Sequence, residues 1–199
     1  MSKGRILELD AFRGLAVLGV ILFHYTSKYY EDFGGDEPAF LFPHGHYGVQ
    51  LFFIISGYVI FMTVDKVNTA RKFIWFRFTR LFPVYWVSVI LTYLGLTFVG
   101  LEGKFVSWKA FLFNFTMLQD LFQIPNVDGA YWSLLPELMF YMAMVVLILF
   151  KLKRFITYFC LIWLVGIAVA HFVDLPVIVA QVFNLKFGML FIAGIQFYL

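Results

Sequence analysis

Arg13 and His24, two residues that could take part in one reaction, lie eleven positions apart in an apolar stretch of the chain. In an α-helix, which turns about 100° per residue, this spacing brings both side chains back to one face. The rise of about 1.5 Å per residue separates them by about 16 Å along the axis. One face therefore presents a permanent cation and, deeper in, a titratable base of the kind used in general-base catalysis.

Each of these two residues also has a structural alternative. Arg13 could be an interfacial arginine that pairs with Asp10 one turn earlier. His24 could be an interfacial histidine that hydrogen-bonds to a neighbouring helix. Ionisable residues inside membrane spans are costly to insert, and for that reason they are functional candidates. Because the two side chains share one face, we favour the functional interpretation.

Arg77 and Arg80 form a second pair, in the motif Arg-Phe-Thr-Arg. Residues three positions apart project from neighbouring points on one helix face. Two guanidinium groups placed in this way suit bidentate contacts with phosphate oxygens. The alternative is an ordinary cytoplasmic basic flank, which explains the nearby Lys66, Arg71 and Lys72. It fits the arginine pair less well, since aromatic residues surround the pair.

Glu137 ends the motif Trp132-Ser133-Leu-Leu-Pro136-Glu137. A carboxylate can orient a neutral imidazole and stabilise its charged form, so Glu137 is predicted to assist His24 as the second member of a general-base pair. A structural ion or hydrogen-bond partner for another helix is the alternative. Pro136 indicates a local break in the helix that opens backbone groups to a cavity.

The composition indicates the environment in which these residues lie. Of the 199 residues, 62% are hydrophobic and 14% are charged, whereas about a quarter of a soluble domain is charged. The 27 Phe, 11 Tyr and 5 Trp suit a body in hydrocarbon with aromatic residues at the interfaces. The small net charge of +3 argues against a nucleic-acid partner. Cys160 is the one cysteine, so no disulfide forms within the chain, and His44 and His46 lack a third ligand nearby, so no metal is assigned.

Hydropathy predicts an all-α fold, a polytopic transmembrane helical bundle that forms a single integral membrane domain over residues 1–199. A spanning helix needs about 20 mostly apolar residues. About six stretches qualify, namely 9–29, 47–64, 73–99, 131–150, 155–173 and 177–199. A shorter segment near 107–122 contains Lys109, Asn114 and Asp120 and is predicted to be re-entrant or interfacial.

Basic residues predict the orientation of these helices. The N-terminus, the segment 66–80 and the cluster 151–154 are assigned to the cytoplasm, and the acidic segment 30–47 is assigned to the outside. We therefore expect a multi-pass protein of the plasma (inner) membrane with a cytoplasmic N-terminus. A full crossing by 107–122 would place the 151–154 cluster outside, which favours a segment that does not cross.

The motifs above resemble those of the acyltransferase 3 family of integral membrane acyltransferases. Four matching stretches occur in the family's order, namely 9–15 with His24 at the Arg-x10-His spacing, 48–57, 77–83 and 132–141. Together they lie within residues 7 to 150. In the second stretch the glycines at both ends indicate close helix packing, and Ser56 lacks the surroundings of a nucleophile.

The resemblance implies transfer of an acyl group, often acetyl, from cytoplasmic acyl-CoA (acetyl-CoA) as donor to a hydroxyl of an envelope carbohydrate, or in some relatives of a small molecule. The family's arginines map onto Arg13, Arg77 and Arg80, which are expected to bind the phosphates of the donor. The catalytic residues are expected to be His24, which takes the proton of the acceptor hydroxyl, and Glu137.

The family's Trp-to-Glu motif maps onto the segment that begins with Trp132 and Ser133, which are the expected substrate-binding residues. Members of the family typically have more spans than the six found here. We therefore expect this chain to be a fragment of a longer protein, truncated at its C-terminus.

A transporter or flippase of a glycan or lipid-linked substrate is the alternative function, since buried Arg, His and Glu can form an ion-coupled path. Such proteins are often built from inverted repeats, and the sequence has no visible repeat. The lipid bilayer is the expected partner besides the hydroxyl acceptor. Assembly into a homo-oligomer stays open.

Overall fold

The computed structural model describes residues 6–34, 40–67, 69–100 and 105–199. Every regular element in these ranges is helical, which confirms the predicted all-α class. The α-helices are, in chain order, α1 (Leu7–Phe23), α2 (Tyr29–Phe33), α3 (Tyr47–Lys66), α4 (Ala70–Val99), α5 (Trp108–Asn114), α6 (Leu134–Leu149), α7 (Ile156–Ala170), α8 (Val177–Val182) and α9 (Gly188–Tyr198).

The chain divides into two compact units. The first unit comprises Met1–Val59 and Leu190–Leu199, and the second unit comprises Ile60–Met189. The helices α3 and α9 each contribute residues to both units. The single domain expected over residues 1–199 stays a prediction.

Four helices of the described residues are long and apolar enough to cross a membrane, as judged from length and composition. They are Pro43–Lys66, Ala70–Phe98, Gly129–Leu149 and Lys153–Ala170. They coincide with four of the six predicted spans. Within a bilayer the backbone must satisfy its own hydrogen bonds, so long apolar stretches of this kind form helices.

The first predicted span, at 9–29, is helical but irregular. The α-helical part, α1, has 17 residues, fewer than the roughly 20 that a span needs. A π-helical turn at His24–Lys28 and the short α2 follow it directly. Single π-helical turns inserted in α-helices are rare and are frequent at functional sites.

The last predicted span, at 177–199, is not one helix, and this prediction was wrong. It divides into α8 and the 11-residue α9, which is about 16 Å long. Asn184 lies between them with a left-handed backbone (φ 51°), and its Nδ2 donates a hydrogen bond to the Pro136 carbonyl oxygen at 3.0 Å. Because this side chain anchors the turn to another part of the second unit, the chain does not continue as a straight helix.

The segment near 107–122 folds as short helices. It contains the 7-residue α5 and the 3₁₀ turn Gln119–Phe122. A 7-residue helix is about 10 Å long, far less than the thickness of the hydrocarbon core. No spanning helix forms here, as the sequence predicts, and the re-entrant or interfacial position of the segment stays a prediction.

Buried polar groups join this segment to α4. Asn114 is fully buried, and its Nδ2 donates to the Pro125 carbonyl oxygen at 3.0 Å while its Oδ1 accepts from the Val127 amide at 3.1 Å. The Tyr85 hydroxyl of α4 donates to the Asn114 carbonyl oxygen at 2.7 Å. Since buried polar groups are costly without partners, these bonds fix the segment in one position on the second unit.

Apolar side chains of α4 and α6 form the centre of the second unit. The least exposed include Phe73 and Val89 of α4 and Phe140, Met144 and Leu147 of α6. The two helices pack against each other. This packing determines which side chains of α4 and α6 face the interior.

In the first unit the backbones of α3 and α9 approach closely at glycines. A Cβ atom on Gly57 would clash with the Phe191 carbonyl oxygen, and one on Gly194 would clash with the Ile54 carbonyl oxygen. Small residues allow this kind of approach between membrane helices. The interpretation of the 48–57 stretch as a close-packing motif is therefore confirmed.

Candidate functional site

Arg77 is a buried cation in the second unit, where its side chain is only 7% exposed. Its Nη2 donates a hydrogen bond to the Thr63 Oγ1. Its guanidinium carbon lies 5.4 Å from the ring centroid of Phe73 and 5.6 Å from that of Tyr141, within the range of cation–π contacts. Its Nε is buried and has no hydrogen-bond partner among the described residues. One N–H donor of the guanidinium thus has no hydrogen bond to the described residues.

Tyr141 links this cation to a carboxylate. Its hydroxyl donates a hydrogen bond of 2.7 Å to Glu137 Oε1, and both side chains are buried. The two residues are four positions apart on α6, a spacing that makes side chains neighbours. The tyrosine ring contacts the guanidinium while its hydroxyl contacts the carboxylate, so one residue bridges two charges that are each costly to bury. We refer to Arg77, Tyr141 and Glu137 as the charge cluster.

Two adjoining clefts open between α4 and α6. The inner cleft, of about 220 Å³, is lined by Arg77 and Tyr141 of the charge cluster. The outer cleft, of about 850 Å³, is lined by Arg71, Lys72 and apolar side chains, and we call it the basic cleft. The two clefts share three lining residues, Ile74, Phe78 and Val145. An elongated ligand could place an anionic head at the cations of the basic cleft and an apolar arm along the apolar side chains that the two clefts share.

Arg77 and Arg80, predicted to act as a pair, lie in different environments. Arg77 is buried, whereas Arg80 on the next turn is exposed. Because a membrane-embedded helix buries only one of its faces against neighbours, a shift of three positions moves a side chain from the interior to the edge of that face. The structure therefore assigns the buried contacts of this motif to Arg77.

Arg13 and His24 lie on α1 and at its end, in the first unit. The Arg13 side chain is half-buried, and its guanidinium carbon lies 5.7 Å from the ring centroid of Phe52. His24 is exposed, and its Nδ1 lies 2.8 Å from the Val20 carbonyl oxygen. A carbonyl oxygen only accepts, so Nδ1 carries the proton, and a neutral His24 has its basic lone pair on Nε2.

Trp132 and Ser133 lie in the 3₁₀ turn Gly129–Ser133, directly before α6. The Trp132 ring lies 5.3 Å from that of Phe187, centroid to centroid. The Ser133 hydroxyl donates to the Ala130 carbonyl oxygen at 3.0 Å, which helps to close the turn. Trp132 and Phe187 line a third cavity of about 460 Å³ at the N-terminal end of α6, which we call the aromatic pocket.

The structure brings together some of the predicted site residues. Arg77 and Glu137 meet through Tyr141 in the second unit, and Trp132 lies little more than one helical turn before Glu137. Arg13 lies on α1 in the first unit, and His24 follows directly after its last residue. A joint site formed by the two groups stays a prediction, and so does the pairing of Glu137 with His24.

Several residues of the clefts were missed by the sequence interpretation. Tyr141 carried a usable signal, since it lies four positions after Glu137 on a predicted helix. Arg71 and Lys72 were interpreted as an ordinary basic flank, although they line the basic cleft. Gln181, in the aromatic pocket, gave no signal because a single glutamine in an apolar stretch has no pattern around it.

Comparisons with known proteins identify the family of the chain. The model of the acyltransferase 3 family, described as an acyltransferase domain, matches residues 6–199. The peptidoglycan O-acetyltransferase OatA of Listeria monocytogenes serovar 1/2a is 28% identical over 170 residues, which cover 76% of this chain and 25% of that protein. The chain thus spans about a quarter of the length of this curated relative. No solved structure matches the chain.

The family match includes the predicted site residues of both units, namely Arg13 and His24 in the first and Arg77 and Glu137 in the second. It also includes the last fifty residues, where the sequence motifs of the resemblance do not reach. Four helices of the described residues have the length and apolar composition expected of a membrane-embedded domain. The chain therefore belongs to the acyltransferase 3 family of membrane acyltransferases.

Proposed function

We propose that this protein transfers an acyl group, acetyl in the simplest case, from cytoplasmic acyl-CoA to a hydroxyl group of an envelope carbohydrate. Membership of the acyltransferase 3 family supports the reaction class. The name of the relative, a peptidoglycan O-acetyltransferase, supports the choice of an acetyl group and of a carbohydrate acceptor. In this proposal the protein lies in the plasma (inner) membrane with its N-terminus in the cytoplasm, as the distribution of basic residues predicts.

One observation carries the proposal, the buried guanidinium of Arg77 at the inner end of a cleft that begins with exposed cations. Arg71 and Lys72 line the basic cleft and suit the phosphate groups of coenzyme A. The apolar walls shared by the two clefts suit its pantetheine arm. The Nε of Arg77 is buried and has no hydrogen-bond partner among the described residues. In the proposal this N–H donates to the thioester end of acyl-CoA or to a neighbouring polar group of the same molecule.

The chemistry requires a base for the acceptor hydroxyl, and we assign it to His24. The hydroxyl oxygen attacks the thioester carbonyl carbon, a C–O bond forms, the C–S bond breaks, and coenzyme A leaves. The Nε2 lone pair of His24 takes the hydroxyl proton and returns it to the leaving sulfur, which departs as a thiol. The hydrogen bond from Nδ1 to the Val20 carbonyl oxygen fixes the tautomer of the neutral ring, with its lone pair on Nε2. General-base help of this kind contributes about 10²–10⁴-fold in rate.

Arg13, Arg80 and Glu137 have supporting roles in the proposal. Arg13 and Arg80 add positive charge for the phosphates of the donor, and both side chains are at least partly accessible. Glu137 is proposed to stabilise the charged form of His24. The bond that Glu137 accepts from Tyr141 holds the carboxylate in one orientation, which is a condition for that role.

The first experiment measures thiol release from acetyl-CoA by the purified chain in lipid nanodiscs. The protein's own cysteine, Cys160, is buried, so a thiol reagent reports mainly coenzyme A. Slow release without acceptor and faster release with a soluble glycan are expected. A transporter or flippase would leave acetyl-CoA intact, and that result would refute the proposed reaction.

A pair of variants tests the donor site. Replacing Arg71 and Lys72 together by glutamine removes the two cations of the basic cleft and should raise the KM for acetyl-CoA by about tenfold, at the scale of lost charge-assisted hydrogen bonds. The matched control is Lys109→Gln, which removes an exposed cation of α5 that lies outside the basic cleft. Equal KM values for the control and the double variant would contradict the assignment of the cleft.

A further inference from the structure

The aromatic pocket lies in the second unit at the opposite end of α6 from the basic cleft. Leu135 and Pro136 at the start of α6 line the pocket, whereas Val145 and Leu149 near its end line the basic cleft. Its volume of about 460 Å³ falls within the range of roughly 300–1,000 Å³ found for small-molecule sites. It can therefore admit a ligand of the size of one or two sugar rings.

Two aromatic side chains form one wall of the aromatic pocket. Trp132 is 40% exposed, and its ring lies 5.3 Å from that of Phe187 at an interplanar angle of 35°. The exposed indole presents a flat apolar face, with a polar N–H at its edge. The C–H face of a pyranose ring packs on a surface of this kind, while the hydroxyl groups at its rim remain free for polar partners.

The polar groups of the pocket suit hydroxyl groups. The Oε1 atom of Gln181 is buried and has no hydrogen-bond partner among the residues that the structure describes. A buried acceptor without a donor is costly, and a ligand hydroxyl would satisfy it. Asp120 accepts a bond of 2.7 Å from Asn126 through Oδ1, and a carboxylate has the capacity to accept further bonds. Lys186 supplies donors from the same cavity.

The charge of the pocket favours a neutral ligand. Among its lining residues, Lys186 and Asp120 offset each other, and no arginine is present. The phosphates of a coenzyme A donor need several cations, which the basic cleft offers at the other end of α6. The charge cluster lies between the two cavities, since Glu137 follows the pocket residue Pro136 directly and Tyr141 lines the inner cleft.

We infer that the aromatic pocket binds a pyranose ring of the carbohydrate acceptor, with Trp132 as the stacking face and Gln181 and Asp120 as hydroxyl acceptors. This inference rests on the proposed function for the role of the sugar as acceptor. Binding itself needs only the pocket. The two ends of α6 then serve the two substrates, with the donor at one end and the acceptor at the other.

The test is equilibrium binding of a labelled tetrasaccharide of β-1,4-linked N-acetylglucosamine to the purified chain in nanodiscs. Trp132→Ala removes the stacking face, and Gln181→Leu removes the buried acceptor. Each change should raise the Kd of the tetrasaccharide by about tenfold, as expected when a stacked ring or a hydrogen bond to a buried group is lost. Gln181→Leu removes a buried atom that lacks a partner, so it should leave folding intact.

Matched controls lie outside the pocket. Trp108→Ala removes an indole that is 60% exposed on α5, and Gln196→Leu removes an exposed amide of α9. Both should bind the tetrasaccharide as the unchanged protein does. Failure of the unchanged protein to bind the tetrasaccharide, or a Kd of Trp132→Ala and Gln181→Leu equal to that of the unchanged protein, would overturn the inference.

Thiol release from acetyl-CoA, measured in parallel, separates the two proposals. Normal release without binding of the tetrasaccharide would refute the acceptor pocket alone. Binding that depends on Trp132 and Gln181, together with a complete absence of thiol release, would support the pocket and refute the proposed reaction.

Discussion

The buried charges of the second unit and His24 of the first unit are held in opposite ways. In the second unit Arg77 and Glu137 are buried and are linked through Tyr141. The Arg77 guanidinium also contacts the aromatic ring of Phe73. In the first unit His24 is exposed and is fixed by its own helix, through the Val20 carbonyl oxygen. Burial makes a charge depend on its neighbours, whereas an exposed side chain on a helix keeps its position when distant residues change.

This difference predicts which substitutions should lower both activity and stability, and which should lower mainly activity. Loss of a buried charge in the second unit leaves its partner in an apolar environment, so folding and function should suffer together. Loss of His24 removes a reactive group whose side chain is exposed, so function should suffer far more than stability. The variants that follow test this contrast, beginning with the largest effect.

His24→Ala should lower the rate of acetyl transfer by about 10²–10⁴-fold, because the general base is lost. The free energy of unfolding should change by less than about 0.5 kcal/mol, as is usual for exposed positions. Turnover and denaturant-induced unfolding are measured on the same preparation. His171→Ala, which removes another exposed histidine beyond the end of α7, should leave both quantities unchanged. A normal rate in His24→Ala would end its role as base.

Arg77→Ala should lower the free energy of unfolding by about 3 kcal/mol, since it removes a buried cation next to a buried carboxylate. Arg80→Ala, which changes an exposed arginine of the same helix, should shift it by less than about 0.5 kcal/mol. Titration with a denaturing detergent compares the two proteins. Equal stability of the two variants would show that Arg77 is not held as the charge cluster requires.

Gly57→Ala tests the first unit's dependence on close backbone packing. The added methyl group would meet the Phe191 carbonyl oxygen, so the unfolding free energy should fall by about 2 kcal/mol, as for overpacked sites. Gly166→Ala is the control, because apart from its chain neighbours and the backbone of its own helix no atom lies within 4 Å of the position of its added Cβ. The control should keep or slightly raise stability, and a similar loss in both variants would contradict the packing argument.

Tyr141→Phe should have the smallest effect, a loss of about 1.5 kcal/mol in the free energy of unfolding. The ring and its contact with Arg77 remain, while Glu137 loses the hydrogen bond from the hydroxyl. Tyr158→Phe, at a position 65% exposed on α7, should be neutral in the same unfolding titration. If Tyr141→Phe were as stable as the unchanged protein, the bond to Glu137 would contribute nothing to the second unit.

Much of the fold was predictable from the sequence, because the bilayer imposes one rule on every span. Apolar stretches of about 20 residues must be helical to satisfy their backbones. Four such helices occur where hydropathy predicted them, for example at Ala70–Phe98 and Gly129–Leu149. The short segment near 107–122 was also recognisable, since its polar residues interrupt the apolar pattern. The family was evident from motifs in a fixed order, and the family model matches residues 6–199.

Other features depend on contacts between distant parts of the chain, and local patterns cannot reveal them. The break near Asn184 needs the Pro136 carbonyl oxygen as a partner, 48 positions away in sequence. Arg77 and Arg80 have the same chemistry and similar neighbours, yet packing of α6 against α4 buries Arg77 and leaves Arg80 exposed. Residue types and their spacing were thus enough to identify the helices, the family and the candidate charges. The depth of each charge, its partners and the cavities around it follow from side-chain packing, which arises when separate helices meet.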